Sequence, residues 1–396
     1  MKIVQINTTC GSGSTGKICV AVSELINEKN IENYILYSSG KSDYKFGIKY
    51  MSSIEIKINA LFSKILGNYG FNSKRATKRL ISEIDKIKPD IVHLHNLHGH
   101  NCDLEMLFNY LKKENIKIFW TFHDCWAFTG YCPHFDMIGC NKWRSGCGNC
   151  LQKRSYSWIF DKSDKLFSKK EKLLSCLDLT IITPSKWLAS LVKESFLKSY
   201  PVRVINNGID LSVFKPTEGN FKEKDCFEDK KIVLGVAFGW GERKGLDVFI
   251  ELSKRLDKKY QIVLVGTNDK IDKQLPNNII SIHRTQNQKE LAEIYTAADV
   301  FVNPTREEVL GLTNIESLAC GTPTITFNTG GSPECLDKSC GVVVPKNDID
   351  AMKKEIVRIC EEKPFSKEDC VAWAKYFNKD EKFKEYVNLY FEKENL

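Results

Sequence analysis

The stretch that decides the fold is NPTREEVLGLTNIESLACGTP, residues 303–323. It lies between two short apolar runs, Val300–Asn303 and Pro323–Phe327, whose β-branched and aromatic residues are typical of strands. Inside the stretch, Ile315 and Leu318 recur at helical spacing and predict a helix that lays one apolar face on a sheet. A strand, a helix and a second strand in this order form the repeating unit of a parallel sheet.

The same alternation extends over the whole chain. The longer amphipathic segments, such as Gly245–Leu256 and Gln288–Ala297, are predicted helices. In the first half of the chain, strands are predicted at Lys2–Ile6, Tyr34–Tyr37, Ile91–His95, Ile116–Phe122, Thr180–Thr183 and Val202–Ile205. In the second half, they are predicted at Lys231–Ala237, Gln261–Val265, Ile279–Ile282, Val300–Asn303, Pro323–Phe327 and Gly341–Val344. The chain is therefore predicted to be an α/β protein with helices on both faces of parallel sheets.

The pattern of strands and helices restarts near residue 231, which indicates two domains. A chain of 396 residues fits two domains of about 200 residues each. We predict two Rossmann-like domains at 1–207 and 231–372, joined by a polar linker at 208–230, and a final helix at 373–396 that packs back toward the first domain. Because doubly wound sheets bind ligands at the carboxyl ends of their strands, the expected site is a cleft between the two domains.

Composition is typical of a soluble protein with reduced thiols. No run of about 18 apolar residues is present, and Met1 leads directly into a predicted strand rather than into an export signal. The 15 cysteines are therefore expected to be thiols in the cytoplasm. The net charge of +8 favours anionic ligands, although most lysines are expected to be solvated.

Two long inserts interrupt the alternation, at residues 42–80 and 125–176, and both are basic with scattered aromatic residues. Residues 151–174 combine seven basic and three acidic residues with Trp158, Phe160 and Phe167. This composition suits a segment that lies on a membrane surface, or a charged helix in solvent. No recognised nucleic-acid-binding module is present, so a nucleic-acid partner is not expected.

A glycine-rich loop, GSGSTGK at residues 11–17, follows the first predicted strand. It matches most of a P-loop, but Ile18 stands where that motif needs a hydroxyl group to bind magnesium, which weighs against an NTPase. Backbone amides at such a helix start, near Gly13 and Gly16, suit a phosphate or a sugar. The alternative is a tight turn that binds no ligand.

Two glutamates flank the helix predicted inside 303–323. Glu308 precedes Gly311, where the helix is predicted to begin, and Glu316 falls on its second turn. The free amides of the helix start suit a diphosphate, and carboxylates beside them can bind sugar or ribose hydroxyls. Spacing alone nevertheless favours solvated charges that interact with the helix dipole.

An ordered set of motifs, spread over nearly the whole chain, resembles glycosyltransferase family 4. Glu308 and Glu316 resemble the family's motif of two glutamates separated by seven residues. The other matching segments are the glycine loop, TFHD at 121–124, TPS at 183–185, INNGID at 205–210, RKG at 243–245, ACGTP at 319–323 and TGGSPE at 329–334. The resemblance implies the GT-B fold and a retaining hexosyltransferase of the capsule or exopolysaccharide type, with a nucleotide-diphosphate sugar as its donor.

The resemblance also implies a role for each matching residue. Glu316 would bind the donor ribose, Glu308 the hydroxyls of the transferred sugar, and Lys244 the diphosphate, whose departure it would stabilise. The remaining donor contacts would come from Gly13, Gly16, Gly311, Leu312, Thr313 and, near the base, His283 and Arg284. No metal is required in this scheme, because cationic side chains and amides neutralise the diphosphate.

Two positions leave alternatives open. The family usually has an arginine about six residues before the lysine, but Phe238 stands there, so Arg243 either replaces that arginine or is a surface turn residue. His123, at the end of a predicted strand, either lines the cleft near the transferred sugar, oriented by Asp124, or is a hydrogen-bonded core histidine.

Cysteines and histidines form two further clusters in the sequence. Cys132, Cys140, Cys147 and Cys150 lie in one insert and fit either a structural zinc site or thiols that only pack. His93, His95, His98 and His100 follow one another closely, but a polar strand end is expected there rather than a metal site.

The resemblance implies a lipid-linked or growing surface glycan as acceptor, and a location in the cytoplasm, at the inner face of an anionic membrane. Three alternatives remain. A related GT-B transferase would act on a small soluble acceptor. A P-loop nucleotide hydrolase would depend on Lys17, and a zinc-stabilised binding protein would have no catalytic activity.

Overall fold

Two parallel β-sheets organise the chain in the computed structural model, which describes residues 1–224, 227 and 229–392. Each sheet belongs to its own unit. The first unit contains Met1–Ile205 and the chain from Phe383 onward, and the second contains Asn206–Lys382. The predicted α/β class with two Rossmann-like sheets is confirmed.

The first unit is built on a seven-stranded sheet within the described residues. Its strands are β1 (Lys2–Asn7), β2 (Glu32–Tyr37), β3 (Gly47–Lys49), β4 (Ile91–Leu94), β5 (Lys117–Thr121), β6 (Leu179–Thr183) and β7 (Val202–Val204). They pair in parallel in the order β3-β2-β1-β4-β5-β6-β7. Every residue of β4 and β6 is buried, as expected for strands that helices cover on both faces.

Helices connect these strands and cover the sheet. They are α1 (Gly13–Glu28), α2 (Ser53–Leu66), α3 (Lys74–Ile87), α4 (Leu104–Lys113), α5 (Lys153–Tyr156), α6 (Ser163–Leu173) and α7 (Lys186–Glu194). The insert at 125–176 contains α5, α6 and two 3₁₀ turns at Trp126–Phe128 and Lys142–Arg144. The segment between β5 and α6 therefore has little regular structure of its own.

The second unit has a six-stranded parallel sheet within the described residues. Its strands are β8 (Lys231–Val236), β9 (Tyr260–Val265), β10 (Ile279–Ile282), β11 (Val300–Asn303), β12 (Thr324–Phe327) and β13 (Gly341–Val344). They pair in the order β10-β9-β8-β11-β12-β13. The helices are α8 (Phe221–Lys224), α9 (Leu246–Arg255), α10 (Asp269–Asp272), α11 (Gln288–Ala297), α12 (Leu312–Ala319), α13 (Ile349–Glu362) and α14 (Lys367–Ala374), with 3₁₀ turns at Glu242–Lys244, Ser332–Cys335 and Lys375–Phe377.

The structure differs from the predicted boundaries at the two ends of the second unit. The segment expected to be a linker contributes Ile209, Phe214 and Phe227 to the buried core of that unit, although they are too few and too widely spaced to show a periodic pattern. The last helix, α15 (Lys379–Phe391), begins later than expected and carries the chain into the first unit. There, Tyr386 and Tyr390 are buried in a hydrophobic core.

Strand positions follow the sequence closely. Each of the twelve predicted strands corresponds to a strand whose ends differ from the prediction by at most two residues. The strand that the sequence did not predict is β3, which has only three residues and lies inside the 42–80 insert. A segment this short cannot display the apolar pattern on which the other predictions depend.

Candidate active site

Glu308 lies in the loop between β11 and α12, next to a lysine from another loop. Its Oε2 atom accepts a hydrogen bond from Lys244 Nζ at 2.7 Å, and the two side chains are 21% and 18% exposed. The N–H of Gly331 donates to the carbonyl of Glu308 at 3.1 Å. Gly330 has a φ of +57°, and a Cβ atom there would lie 1.7 Å from the same carbonyl oxygen. The paired glycines therefore determine where Glu308 lies.

Lys244 is positioned by the 3₁₀ turn that follows β8. Gly245 ends this turn with a φ of +76°, and a Cβ atom there would lie 2.5 Å from the proline of the Glu308 loop. The carbonyl of Arg243 accepts a hydrogen bond from the backbone N–H of Arg306 at 2.9 Å. The backbone of Arg243 thus joins the lysine turn to the glutamate loop.

Glu316 lies on the second turn of α12 and contacts a buried tyrosine. Its Oε2 atom accepts a hydrogen bond from Tyr295 Oη at 3.1 Å. Burial and then the charge of Glu316 raise the pKa of Tyr295, so the phenol stays protonated as the donor. Helix α12 begins at Leu312, with Gly311 as its N-cap, and the N–H groups of Leu312 and Thr313 have no acceptor within the helix. Both glutamates and these amides therefore belong to one loop–helix junction.

A pair of asparagines that was not predicted from the sequence supports this junction. The side-chain amide of Asn303, at the end of β11, donates to Asn314 Oδ1 of α12 at 2.7 Å. The amide of Asn314 in turn donates to the carbonyl of Ser332 at 3.5 Å. One asparagine ends a strand and the other lies on the apolar face of a helix. Because buried amides need hydrogen-bond partners, these two positions could have indicated the contact from the sequence.

His283 and Arg284, expected near the base, follow β10 and are exposed. His283 Nε2 lies 2.6 Å from Asp272 Oδ2 and 3.8 Å from Asp269 Oδ1, and the hydrogen bond to Asp272 raises the pKa of the histidine. A metal ion could be held by three or more His, Cys, Asp or Glu side chains whose ligand atoms lie within 4.8 Å of one another. Among the described residues, His283 and these two aspartates form the single such group. Neither aspartate was predicted as a site residue from the sequence.

The cysteine cluster does not have the geometry of the zinc site considered from the sequence. Cys132, Cys140, Cys147 and Cys150 are thiols, and no three of their sulfur atoms lie within 4.8 Å of one another. Zinc at its usual bond length of about 2.3 Å from each sulfur would need closer spacing. The Sγ atom of Cys147 instead accepts a hydrogen bond from the backbone N–H of Gly130 at 3.3 Å.

In the first unit, the glycine loop forms a tight turn into α1. The N–H of Gly11 donates to the carbonyl of Gly16 at 3.0 Å, and a Cβ atom on Gly16 would lie 2.6 Å from a threonine hydroxyl. Helix α1 starts at Gly13 without a side-chain cap, which leaves its first amides open to a ligand. Ile18 is buried and Lys17 is exposed, so the residue in the magnesium position of a P-loop packs in the core instead.

His123 follows β5 and stacks on a second histidine. Its Nε2 atom lies 3.2 Å from His95 Nδ1, and the ring centroids are 5.5 Å apart. The expectation that Asp124 orients His123 is not met, because Asp124 Oδ2 lies 2.7 Å from His98 Nε2 instead. Asp124 Oδ1 also accepts a hydrogen bond from the backbone N–H of Trp126 at 2.8 Å.

The pKa values of these groups follow from burial and from their partners. Burial raises the pKa of Asp124, but the charge and hydrogen bond of His98 outweigh it and lower the value to about 2. Burial likewise lowers the pKa of His98, and Asp124 more than offsets it, so the net shift is upward. Burial lowers the pKa of His123 to about 4. His98 and Asp124, whose side chains are 24% and 13% exposed, thus form a half-buried ion pair beside a neutral His123.

The remaining histidines are held by polar side chains. His93 contacts Tyr390 Oη of α15 through Nδ1 at 2.5 Å and Thr121 Oγ1 through Nε2 at 2.8 Å. His95 Nε2 lies 3.2 Å from Gln5 Oε1. The polar strand end expected for this cluster is therefore present, and His93 additionally anchors the last helix.

Two family models match the chain, one in each unit. Residues 38–213 match the model described as Glycosyltransferase Family 4, and residues 230–362 match Glycosyl transferases group 1. WcaC of Escherichia coli K12, whose name assigns it to colanic acid biosynthesis as a glycosyl transferase, is 22% identical over 88% of this chain and 88% of its own. The chain is a glycosyltransferase of the family 4 type.

Solved structures share the fold of this glycosyltransferase. Sucrose-phosphate synthase from Thermosynechococcus elongatus superposes with a TM-score of 0.73 over 98% of both chains, at 17% identity. HepE from Anabaena, solved in complex with UDP and glucose, has a TM-score of 0.71 over 98% of this chain and 99% of its own, at 12% identity. The GT-B assignment is confirmed by these neighbours. No described helix of the enzyme is long and apolar enough to span a bilayer.

Within this glycosyltransferase, the predicted residues fall into two sets. The second unit brings Lys244 to Glu308 and places Glu316 and the amides of α12 at the same junction. The first unit holds Gly13, Gly16 and His123 at the carboxyl ends of β1 and β5.

Proposed function

We propose that this enzyme transfers a sugar from a nucleotide-diphosphate sugar to a hydroxyl group, with retention of anomeric configuration. The observation that carries the proposal is the contact between Lys244 and Glu308 beside the open amides of α12. A cation, a carboxylate and helix-start amides are the groups needed to bind a diphosphate that is joined to a polyhydroxylated ring.

Donor binding would exchange partners within this pair. The diphosphate competes with Glu308 for the Lys244 ammonium, since both are anions. Once Lys244 binds phosphate oxygens, the Glu308 carboxylate is released to accept hydrogen bonds from the sugar hydroxyls. The amides of Leu312 and Thr313 would bind the β-phosphate and sugar.

The nucleoside would lie toward Glu316. Its carboxylate, oriented by Tyr295, would accept hydrogen bonds from the ribose hydroxyls. His283 and Arg284 would lie near the base. Arg243, whose backbone carbonyl joins the two loops, would direct its guanidinium toward the diphosphate in place of the arginine that Phe238 replaces.

Catalysis would depend on stabilising the leaving diphosphate. As the bond between the sugar and the phosphate breaks, negative charge would develop on the β-phosphate, and Lys244 and the α12 amides would stabilise it. The acceptor hydroxyl would attack from the face that the phosphate leaves and would give its proton to the departing diphosphate oxygen, so the configuration is retained. His123 and the amides near Gly13 and Gly16 would contact the transferred sugar, and no metal would be required for this role.

The acceptor would be a lipid-linked or growing surface glycan, bound at the cytoplasmic face of an anionic membrane. WcaC is named for colanic acid biosynthesis, and a Klebsiella pneumoniae relative, 22% identical over 98% of this chain, is described as a protein in the cps region. An Escherichia coli galactosyltransferase named for a diphosphoundecaprenol acceptor is 28% identical over 43% of this chain. These names support a surface-polysaccharide role.

The test is a panel of nucleotide sugars, screened by thermal shift and then used in turnover with undecaprenyl-linked acceptors. A donor that binds should raise the midpoint of unfolding, because it binds only the folded chain. The product of the active donor should have the donor's anomeric configuration by NMR. A panel in which no nucleotide sugar shifts the midpoint would contradict the donor site, and an inverted product would contradict retention.

A further inference from the structure

Helix α2 (Ser53–Leu66) is well formed but buries almost none of its apolar side chains. Its N-terminus has a capping box between Ser52 and Glu55, and its C-terminus ends in a left-handed Gly67. Ser63 is its one buried residue, although eight of its fourteen residues are apolar. A surface helix of a globular protein normally buries an apolar stripe. The exposed apolar side chains are Ile54, Ile58, Leu61, Phe62 and Leu66.

A second exposed apolar segment lies against the end of this helix. Trp158, Ile159 and Phe160 are 56%, 54% and 50% exposed. The backbone N–H of Trp158 donates to the carbonyl of Lys64 at 2.7 Å. A Cβ atom on Gly67 would lie 2.9 Å from the carbonyl oxygen of Phe160, so glycine is needed for this close approach.

A buried tyrosine also joins the helix to the segment. Tyr131 Oη donates to the carbonyl of Gly67 at 3.0 Å and contacts the carbonyl of Phe160 at 3.5 Å. Helix α2 and residues 158–160 therefore form one continuous surface, which we call the α2 surface.

Basic side chains accompany the apolar ones on the α2 surface. The Nζ atoms of Lys64 and Lys162 lie 5.5 and 5.6 Å from the ring centroids of Trp158 and Phe160. Lys153 Nζ donates to the carbonyl of Ile159 at 3.0 Å. Lys57 of α2 and Arg154 of the neighbouring helix α5 are also exposed.

The acidic residues of these elements are already paired. Glu55 binds Arg79 at 2.7 Å. Asp161 accepts hydrogen bonds from the backbone N–H groups of Cys150 and Ser163. The α2 surface therefore presents apolar and aromatic side chains within a positively charged rim.

We propose that the α2 surface docks this enzyme on an anionic membrane. Apolar side chains enter the acyl boundary, Trp158 lies at the headgroup level, and the basic rim binds lipid phosphates. A second copy of the chain is a poorer occupant, because a two-fold contact would bring two positive rims together. The proposal names the surface and lipid class for the membrane contact in the proposed function, but the docking itself does not depend on sugar transfer.

The test is sedimentation of the full chain with vesicles, without any nucleotide sugar. We expect binding to mixed phosphatidylglycerol–phosphatidylcholine vesicles that weakens at high salt, and much weaker binding to phosphatidylcholine alone. Phe62→Ser and Trp158→Ser should each lower the affinity at least about tenfold. Phe391→Ser is the matched control, because Phe391 is 48% exposed against 50% for Phe62 but lies on α15. It should bind as the wild type does.

Three results would overturn the proposal. The first is wild-type binding that does not distinguish the two vesicle types. The second is unchanged binding of the Phe62 and Trp158 variants. The third is a Phe62→Ser variant that dissociates a dimer in analytical ultracentrifugation while vesicle binding is unaffected. Unfolding midpoints and donor thermal shifts of the same variants should match the wild type, which separates a failure of docking from a failure of the donor site.

Discussion

The ammonium of Lys244 and the carboxylate of Glu308 are hydrogen-bonded at 2.7 Å, although 64 residues separate them in the chain. They come from the loops that follow β8 and β11, which are neighbours in the second sheet. Parallel strands that lie side by side bring their following loops to one edge, which is where α/β proteins bind ligands. The pairing compensates both charges, and in the proposed function an anionic donor would displace Glu308 from Lys244.

Replacing Lys244 by alanine should weaken donor binding by about 10- to 100-fold, because it removes a charge-assisted hydrogen bond to the diphosphate. Isothermal titration calorimetry with the active donor measures this change. Lys254→Ala is the control, since the Lys254 side chain is 62% exposed and pairs with Glu251 of the same helix, α9, so its loss should leave affinity unchanged. Equal affinity in the wild type and Lys244→Ala would remove Lys244 from the donor site.

Replacing Tyr295 by phenylalanine tests how Glu316 is oriented. The ring stays in the core, but Glu316 loses the phenol that donates to it at 3.1 Å. We expect a loss of about 1 kcal/mol in the free energy of unfolding and a several-fold weaker affinity for the nucleoside diphosphate. Urea unfolding and calorimetry measure the two effects.

If Tyr295→Phe loses stability but binds the donor as tightly as the wild type, the tyrosine supports the fold and not the ribose site. Glu316→Gln provides the comparison. It keeps the side-chain shape while removing the charge, and should weaken nucleoside diphosphate binding even where stability is unchanged.

Structure that depends on local sequence patterns could be predicted. The ends of all twelve predicted strands, for example, lie within two residues of their predicted positions. The Lys244–Glu308 region was located because its motifs resemble glycosyltransferase family 4. Two of those motifs contain glycines that the fold requires, since Gly245 and Gly330 have positive φ angles and leave no room for a Cβ atom. Such positions exclude other residues whatever the ligand, so they remain visible in a single sequence.

Features that depend on partners distant in the chain could not be predicted. Asp124 was considered as a partner that could orient His123, its neighbour in sequence, whereas it pairs with His98 from the loop after the adjacent strand. The contacts of Asn303, Asn314 and Tyr295 match no sequence motif. They depend on which strands and helices are neighbours in the fold. The exposure of α2 could likewise not be predicted, because its apolar residues are equally consistent with a helix buried in the core.

The half-buried pair of His98 and Asp124 should make stability depend on pH in a defined direction. The pKa of His98 is raised, so its contribution is complete below the ordinary value of 6.5 and is lost as the pH rises through the folded value. The pKa of Asp124 is lowered from 3.8 to about 2, so its contribution is complete above 3.8 and is lost as the pH falls toward 2. The pair should therefore stabilise the first unit most between pH 3.8 and pH 6.5.

Asp124→Asn measures this contribution as a difference from the wild type in the free energy of unfolding. The difference should be larger at pH 5.5 than at pH 9 by about 1 kcal/mol or more. Asp350→Asn is the control, because the Asp350 side chain is 88% exposed and its partner, Arg255, stays charged at both pH values. A difference that is the same at both pH values would mean that His98 is not charged in the folded chain.

Replacing Gly330 by alanine should disrupt the donor site without touching a charged residue. A Cβ atom would lie 1.7 Å from the Glu308 carbonyl oxygen, so the glutamate loop must move, and the residue is also strained at a φ of +57°. Gly139→Ala separates the two effects, because Gly139 has a φ of +63° but no atom within 4 Å of the added Cβ. The control should lose about 1 kcal/mol from backbone strain alone.

Gly330→Ala should lose clearly more stability than Gly139→Ala, and it should also lose most of its affinity for the donor, because Glu308 and its contact with Lys244 are displaced. Unfolding in urea and calorimetry with the donor distinguish these effects. Wild-type donor affinity in Gly330→Ala would mean that the position of Glu308 does not matter for binding, and the role proposed for Glu308 on the sugar hydroxyls would then be wrong.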